Sequence, residues 1–197
     1  MPQQLRSDLT AVSRDVSLRL LGLWPIFDPA DFNGSLGRWL AAVIPTLAAA
    51  YSQAVRVADT GYRRIRVQRT GDLWLDQVDP PGFVTVAARR SLIITGPVAT
   101  ERALRQGRNL TTALQLGGSW SAATGGMHAL RGGREHLTAM SRRDPAARGW
   151  QRITGGSPCG FCEGLAGIEF TGSRGPSGDN VAFQAHANCQ CSAIPLF

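Results

Sequence analysis

Leu5, Leu9, Val12, Val16 and Leu20 recur at steps of four and three, the repeat of a helix that buries one stripe. Residues 4–23 are therefore predicted to form an amphipathic helix. Trp24-Pro-Ile-Phe-Asp-Pro29 stops it, because Pro25 and Pro29 each push the preceding residue out of helical geometry. The repeat resumes near Ser35 and continues through Leu36, Leu40, Val43, Leu47, Tyr51, Ala54 and Ala58, predicting a second long helix to Arg69. Pro45 falls inside that pattern and predicts a kink or a split, with Gly61 a further weak point. Residues 71–97 read differently. Asp79-Pro-Pro-Gly82 is a turn, and Phe83-Val-Thr-Val86 and Leu92-Ile-Ile-Thr95 are short β-branched runs. Each fits a strand or a helical connection, which leaves room for a short-strand insertion near 82–96. From Val98 to Arg143 the helical spacing returns, with Ala103, Leu104, Leu110, Leu114, Leu130, Leu137 and Met140 as its buried face. Gly117-Gly118 and Gly125-Gly126 are expected to interrupt it.

These patterns predict a mainly α fold: a helical body over residues 1–150, with two long helices, and a small C-terminal α+β module over 151–197. Arg148-Gly-Trp150-Gln-Arg152-Ile153 is the joint, with Trp150 and Ile153 packing the module on the helices. The composition, 43% hydrophobic and 18% charged, is that of a globular protein. The longest apolar stretch, Trp39 to Ala50, is broken by Pro45 and Thr46, so no membrane span is expected. The N-terminal sequence has no signal-peptide pattern, and synthesis in a reducing cytosol is the expectation.

Net charge is +7, and all 21 basic residues are Arg. A GC-rich coding sequence accounts for that bias; an interaction surface for carboxylates or phosphates is the functional reading. The local run Arg63, Arg64, Arg66 and Arg69 is the candidate binding surface.

The chemistry concentrates in the tail. Cys159-Gly-Phe-Cys162 and His186-Ala-Asn-Cys189-Gln-Cys191 hold all four cysteines and one of the three histidines. A CxxC followed by HxxCxC has metal-ligand spacing, each half chelating from one local turn. Zn²⁺ takes four such ligands tetrahedrally, and a site closed by protein ligands is structural. Five candidates, Cys159, Cys162, His186, Cys189 and Cys191, compete for four places. A Gly-, Ser- and Pro-rich tail with little core is the kind of segment that a structural zinc can hold folded. A redox CxxC lacks its strand-helix setting here, and paired disulfides require an oxidising compartment. Pro158-Cys-Gly-Phe-Cys162 is half of a zinc deaminase signature, but neither His128-Ala-Leu130 nor His136-Leu-Thr138 supplies the HxE half. The sequence contains no GxSxG, GxxxxGK[ST] or HExxH, and no nucleophile-base-orienter set stands out, so no catalytic residue is predicted.

Read from Gly149-Trp-Gln-Arg-Ile-Thr-Gly-Gly-Ser-Pro-Cys-Gly-Phe-Cys162, through Leu165-Ala166 and His186-Ala-Asn-Cys189-Gln-Cys191 to Pro195-Leu-Phe197, the tail resembles that of the phage Mu F-like minor head proteins. These head morphogenesis proteins of tailed bacteriophages, especially actinobacterial ones, end in this order of motifs. The body agrees in length and character only. Gly167-Ile-Glu-Phe170 departs from the family, whose members often have Ser-Arg-Gly and an aromatic there. The resemblance implies a minor capsid protein of the virion that is made in the host cytoplasm, sits at the portal vertex or capsid interior, and acts in head assembly, DNA packaging or ejection. Its partners would be the portal and inner capsid proteins, with packaged DNA within reach. No enzyme activity, membrane or small-molecule substrate is expected. The alternative is a nucleic-acid-binding zinc module or zinc-dependent nuclease, against which stands the stretch from Pro158 to Phe197, whose one Arg, Arg174, is outnumbered by Glu163, Glu169 and Asp179.

Overall fold

The computed structural model describes residues 2–74, 76–155, 159–171, 183, 185, 189 and 191–197. Helix α1 (Pro2–Leu23) buries the whole predicted stripe, Leu5, Leu9, Val12, Val16 and Leu20. Two short 3₁₀ turns, Trp24–Ile26 and Pro29–Asp31, reverse the chain. The Asp31 carboxylate then accepts the Gly34 N–H at 3.2 Å and caps α2 (Phe32–Thr70). Helix α2 is not split at Pro45, contrary to one reading of the sequence. Pro45 lies on the exposed face, as does Ala41, so the carbonyl that loses its partner faces water. Gly71, with φ of 78°, closes the helix through its N–H to Val67 O. By length and composition α2 could cross a membrane, but here Trp39, Leu40, Val43, Leu47 and Tyr62 carry it into the interior.

Residues 71–74 and 76–84 form an irregular strap along α2. Arg63 donates to the carbonyls of Trp74 and Asp76, and Tyr51 Oη donates to Pro81 O at 3.0 Å. The short-strand insertion expected near 82–96 is instead helical from Thr85: α3 (Thr85–Ile93) passes through a π turn (Ile94–Val98) into α4 (Ala99–Arg105). Two effects outweigh β-propensity. Ala88 and Leu92, four apart, are fully buried against the body. Ser91, Thr95 and Thr100 donate to the carbonyls of Ala87, Ser91 and Gly96, four residues back, so their hydroxyls fit a helix. The widened turn accommodates Pro97, which has no N–H to give.

Helix α5 (Leu110–Arg143) runs uninterrupted through both glycine pairs, correcting the second expectation. The glycines are sites of close approach. A Cβ on Gly126 would stand 2.6 Å from Ser13 Oγ in α1, and one on Gly132 would stand 2.9 Å from Tyr51 O in α2. Helix α5 thus lies against both α1 and α2, which also pack on each other. At its C-terminus Asp144 accepts from Arg66 Nε at 2.8 Å and from Tyr62 Oη at 3.2 Å in the interior. Burial and the Asp144 charge push the Tyr62 phenol far up.

Three antiparallel strands, β1 (Gly149–Ile153), β2 (Glu169–Thr171) and β3 (Ser192–Leu196), form a sheet in the order β2-β1-β3. Gly149 has φ of 149°, and a Cβ there would stand 2.0 Å from Phe170 O, so only glycine fits. Trp150 pairs with Phe170 across the strands, their rings stacked 4.1 Å apart. Pro195 sits opposite Trp150 on edge strand β3, where a missing N–H is tolerated. One hydrophobic cluster runs from the helices into the sheet through Trp150, Phe170, Ala193 and Ile194, with Ile153 packed against it.

Candidate metal centre

Cys159 precedes the single-turn helix α6 (Gly160–Gly164), and Cys162 stands one turn on, so the CxxC places both sulfurs on one side of the turn. Cys189 and Cys191 precede β3. Cys162, Cys189 and Cys191 are 1%, 3% and 3% exposed, and their sulfurs all lie within 4.8 Å of one another. Cys162 Sγ and Cys189 Sγ are 3.7 Å apart. Sulfurs on a tetrahedron about 2.3 Å from a central ion are separated by about 3.8 Å, so this spacing fits a metal ion held between them. Cys159 is on the exposed side of the cluster. His186, the fifth candidate, lies outside the described residues.

Two arginines complete the site. Arg134 reaches from α5, 1% exposed, and donates from Nε to Cys191 O at 2.8 Å and from Nη2 to Cys189 O at 2.5 Å. Among the described residues its Nη1 has no hydrogen-bond partner. Arg152, also 1% exposed, points from β1 and places Nη1 3.7 Å from Cys162 Sγ. The Phe183 ring stacks with both guanidinium groups, at 5.0 Å from that of Arg134 and 4.0 Å from that of Arg152. Burial lowers the Arg134 pKa, and the cysteines at 189, 191 and 162 oppose that by their charge. Burial raises both Cys162 and Cys189. At Cys189 the Arg134 charge and the Cys191 N–H overcome it and bring the thiol below its ordinary value, while Cys162 stays high. Of the two, Cys189 is the more readily ionised and Cys162 the one that holds its proton more tightly. A divalent cation would displace that proton.

The predicted Arg surface is dispersed. Arg66 is buried on Asp144, and Arg63 binds Asp59 at 2.9 Å and the strap carbonyls, so both serve the fold. Arg64 and Arg69 remain exposed. Neither upstream histidine joins the cysteine cluster. His136 Nε2 lies 3.4 Å from Asp59. His128 Nε2 lies 2.6 Å from Ser91 Oγ, a pair the sequence did not suggest; that hydroxyl also reaches the Ala87 and Ala88 carbonyls within its own helix.

A protein-family model described as VG15 protein matches residues 2–197, helices and cysteine cluster together. The chain belongs to the VG15 family. VG15 is a viral or phage gene-product family, and membership is consistent with a phage protein. No curated protein and no solved structure matches it. In this VG15 chain, sequence reasoning overlooked Arg134, Arg152 and Phe183. A signal existed for Arg152: alternation along β1 puts it on the face of buried Trp150, where a cation requires a partner. Arg134 sat in Leu130-Arg-Gly-Gly-Arg134, a segment that gives no sign that its last residue is buried.

Proposed function

We propose that this phage protein is a minor head protein, a structural component associated with the portal vertex that acts in head assembly, DNA packaging or ejection. The observation that carries the reading is the ordered tail constellation: Trp150, Cys159-x-x-Cys162, Leu165-Ala166, His186-x-x-Cys189-x-Cys191 and a terminal Pro195-Leu-Phe197. It is similar to that of Mu F-like head morphogenesis proteins, and the chain that carries it is VG15 along its length. The convergence of Cys162, Cys189 and Cys191 supports treating the constellation as one site. Zinc is the ion that buried, clustered thiolates favour in a reducing cytosol. With every position filled by protein ligands it would cross-link the tail, and no reaction chemistry is assigned to it. The exposed apolar side chains Leu18, Leu21, Val86, Leu110 and Trp120 on the helices provide partner contacts.

The nucleic-acid reading is the weaker one, because Arg63 and Arg66 are engaged within the fold. The test is quantitative mass spectrometry of purified virions, with cross-linking, from phage carrying the intact gene. The reading expects the protein in the particle at far lower copy than the major capsid protein, cross-linked to the portal. Its absence from the particle, or salt-steep DNA binding by the purified chain with no portal contact, would sink it.

A further inference from the structure

We infer that the metal ligands are the four thiolates of Cys159, Cys162, Cys189 and Cys191, with His186 outside the set, and that Arg134 and Arg152 are the built-in counter-cations of the resulting dianionic centre. This rests on reading the cluster as a metal centre. The ligand set follows from the sulfurs and the chain: those of Cys162, Cys189 and Cys191 lie within 4.8 Å of one another, and exposed Cys159 stands at the N-terminus of the single-turn helix that carries Cys162, on the open side of the cluster. With Cys159 as the fourth ligand, a tetrahedral ion would have no vertex left for an imidazole. On binding, the thiols release their protons to solvent, and a divalent ion with four thiolates carries a net charge of −2.

A buried dianion is costly unless opposite charge is built in beside it. Two guanidinium groups, each 1% exposed, meet this cluster. Arg152 touches the Cys162 sulfur directly. Arg134 fixes the carbonyls of Cys189 and Cys191, which orients both of those ligands while bringing its charge next to their sulfurs. The two arginines act from different elements, β1 and α5, so the centre joins the sheet to the helix that packs on both α1 and α2. They are positioning residues, acting through the ligands.

Cobalt substitution of the full-length chain tests this, since thiolate-to-cobalt charge-transfer intensity reports the number of sulfur ligands. The wild-type chain is expected to bind one Co²⁺ with a tetrathiolate spectrum. His186→Ala should leave the spectrum unchanged, and Cys159→Ser should remove about a quarter of the charge-transfer intensity. The reverse pattern, with His186→Ala moving the visible bands and Cys159→Ser neutral, overturns the ligand set while leaving a metal centre in place. A wild-type chain that takes up neither Co²⁺ nor Zn²⁺ overturns the metal reading itself. For the arginines, chelator competition should show Zn²⁺ binding weakened about 10–100-fold in Arg134→Met and less in Arg134→Lys. Arg152→Met provides the same test if the α5 variant does not fold. Unchanged Zn²⁺ affinity in the folded variants overturns their role.

Discussion

Replacing Gly117 with Ala sets two opposing effects against each other. Helix propensity favours Ala over Gly by about 1 kcal/mol in a helix interior. In α5, however, the new methyl would stand 2.0 Å from Thr100 Oγ1, 2.8 Å from Gly96 O and 3.0 Å from Trp24 Cζ2. Two of these neighbours cannot easily give way. Gly96 O is backbone, and the Thr100 hydroxyl is tied to that same carbonyl at 3.1 Å. Forcing a methyl into a packed interface costs about 1–3 kcal/mol, and this site belongs at the upper end, so a net loss of about 1–2 kcal/mol is expected. Gly37 in α2 is the internal control, because a Cβ there meets nothing within 4 Å. Gly37→Ala should gain up to about 1 kcal/mol. For a chain of this size 1 kcal/mol corresponds to about 2–4 °C in Tm. Thermal unfolding followed by circular dichroism should therefore move the two variants in opposite directions. A Gly117→Ala protein that melts at or above wild type would refute the account of α5 as a helix whose glycines are set by close packing.

Removing one partner of the buried Arg66–Asp144 pair, by Asp144→Ala, should cost about 3–5 kcal/mol in denaturant unfolding, because it strands a guanidinium in the interior. A loss under about 1 kcal/mol would mean that this end of the molecule is open to water. Chelation of the loaded protein should lower Tm and expose all four thiols to a thiol reagent, whereas a protein with identical melting before and after chelation would not need the ion for its fold. Burial holds both His128 and His136 below the ordinary value of 6.5; Arg131 lowers His128 further, and Asp59 partly offsets the effect at His136. The unfolded chain therefore takes up those protons first. Stability is full above about pH 6.5 and falls as pH drops through that value towards the lowered folded ones, so a His128→Asn/His136→Asn protein should show a flatter Tm-versus-pH curve, and an equal slope would contradict the assignment.

The first two helices were legible because their patterns had length: every residue of the Leu5–Leu20 stripe is buried, and so are Leu40, Val43, Leu47, Tyr51, Ala54 and Ala58 in α2. Misreadings came where a residue's local meaning was reversed by its surroundings. Pro45 breaks helices on average, but an exposed position removes most of its penalty. The glycine pairs of α5 weaken an isolated helix, yet side chains at Gly117, Gly126 and Gly132 would collide with α1, α2 and the turns beside them. Phe83 to Thr95 was too short for periodicity to separate strand from helix, and packing of Ala88 and Leu92 decided it. In the tail, spacing identified the cysteines because each half of the cluster is local. The arginines that face them come from β1 and α5, and a contact such as that of Arg134 with Cys189, 55 residues apart, leaves no local pattern.

That separation has a consequence in time. Arg134 is buried by carbonyls that belong to residues 55 and 57 positions later in the chain. At synthesis rates of about 5–20 residues per second, those partners follow Arg134 by roughly 3–11 s. During that interval α5 presents a guanidinium that must stay hydrated, so this part of the helix cannot take its final packing while the tail is still being made. The packing of this part of α5 is thus completed only when the cysteine segment arrives.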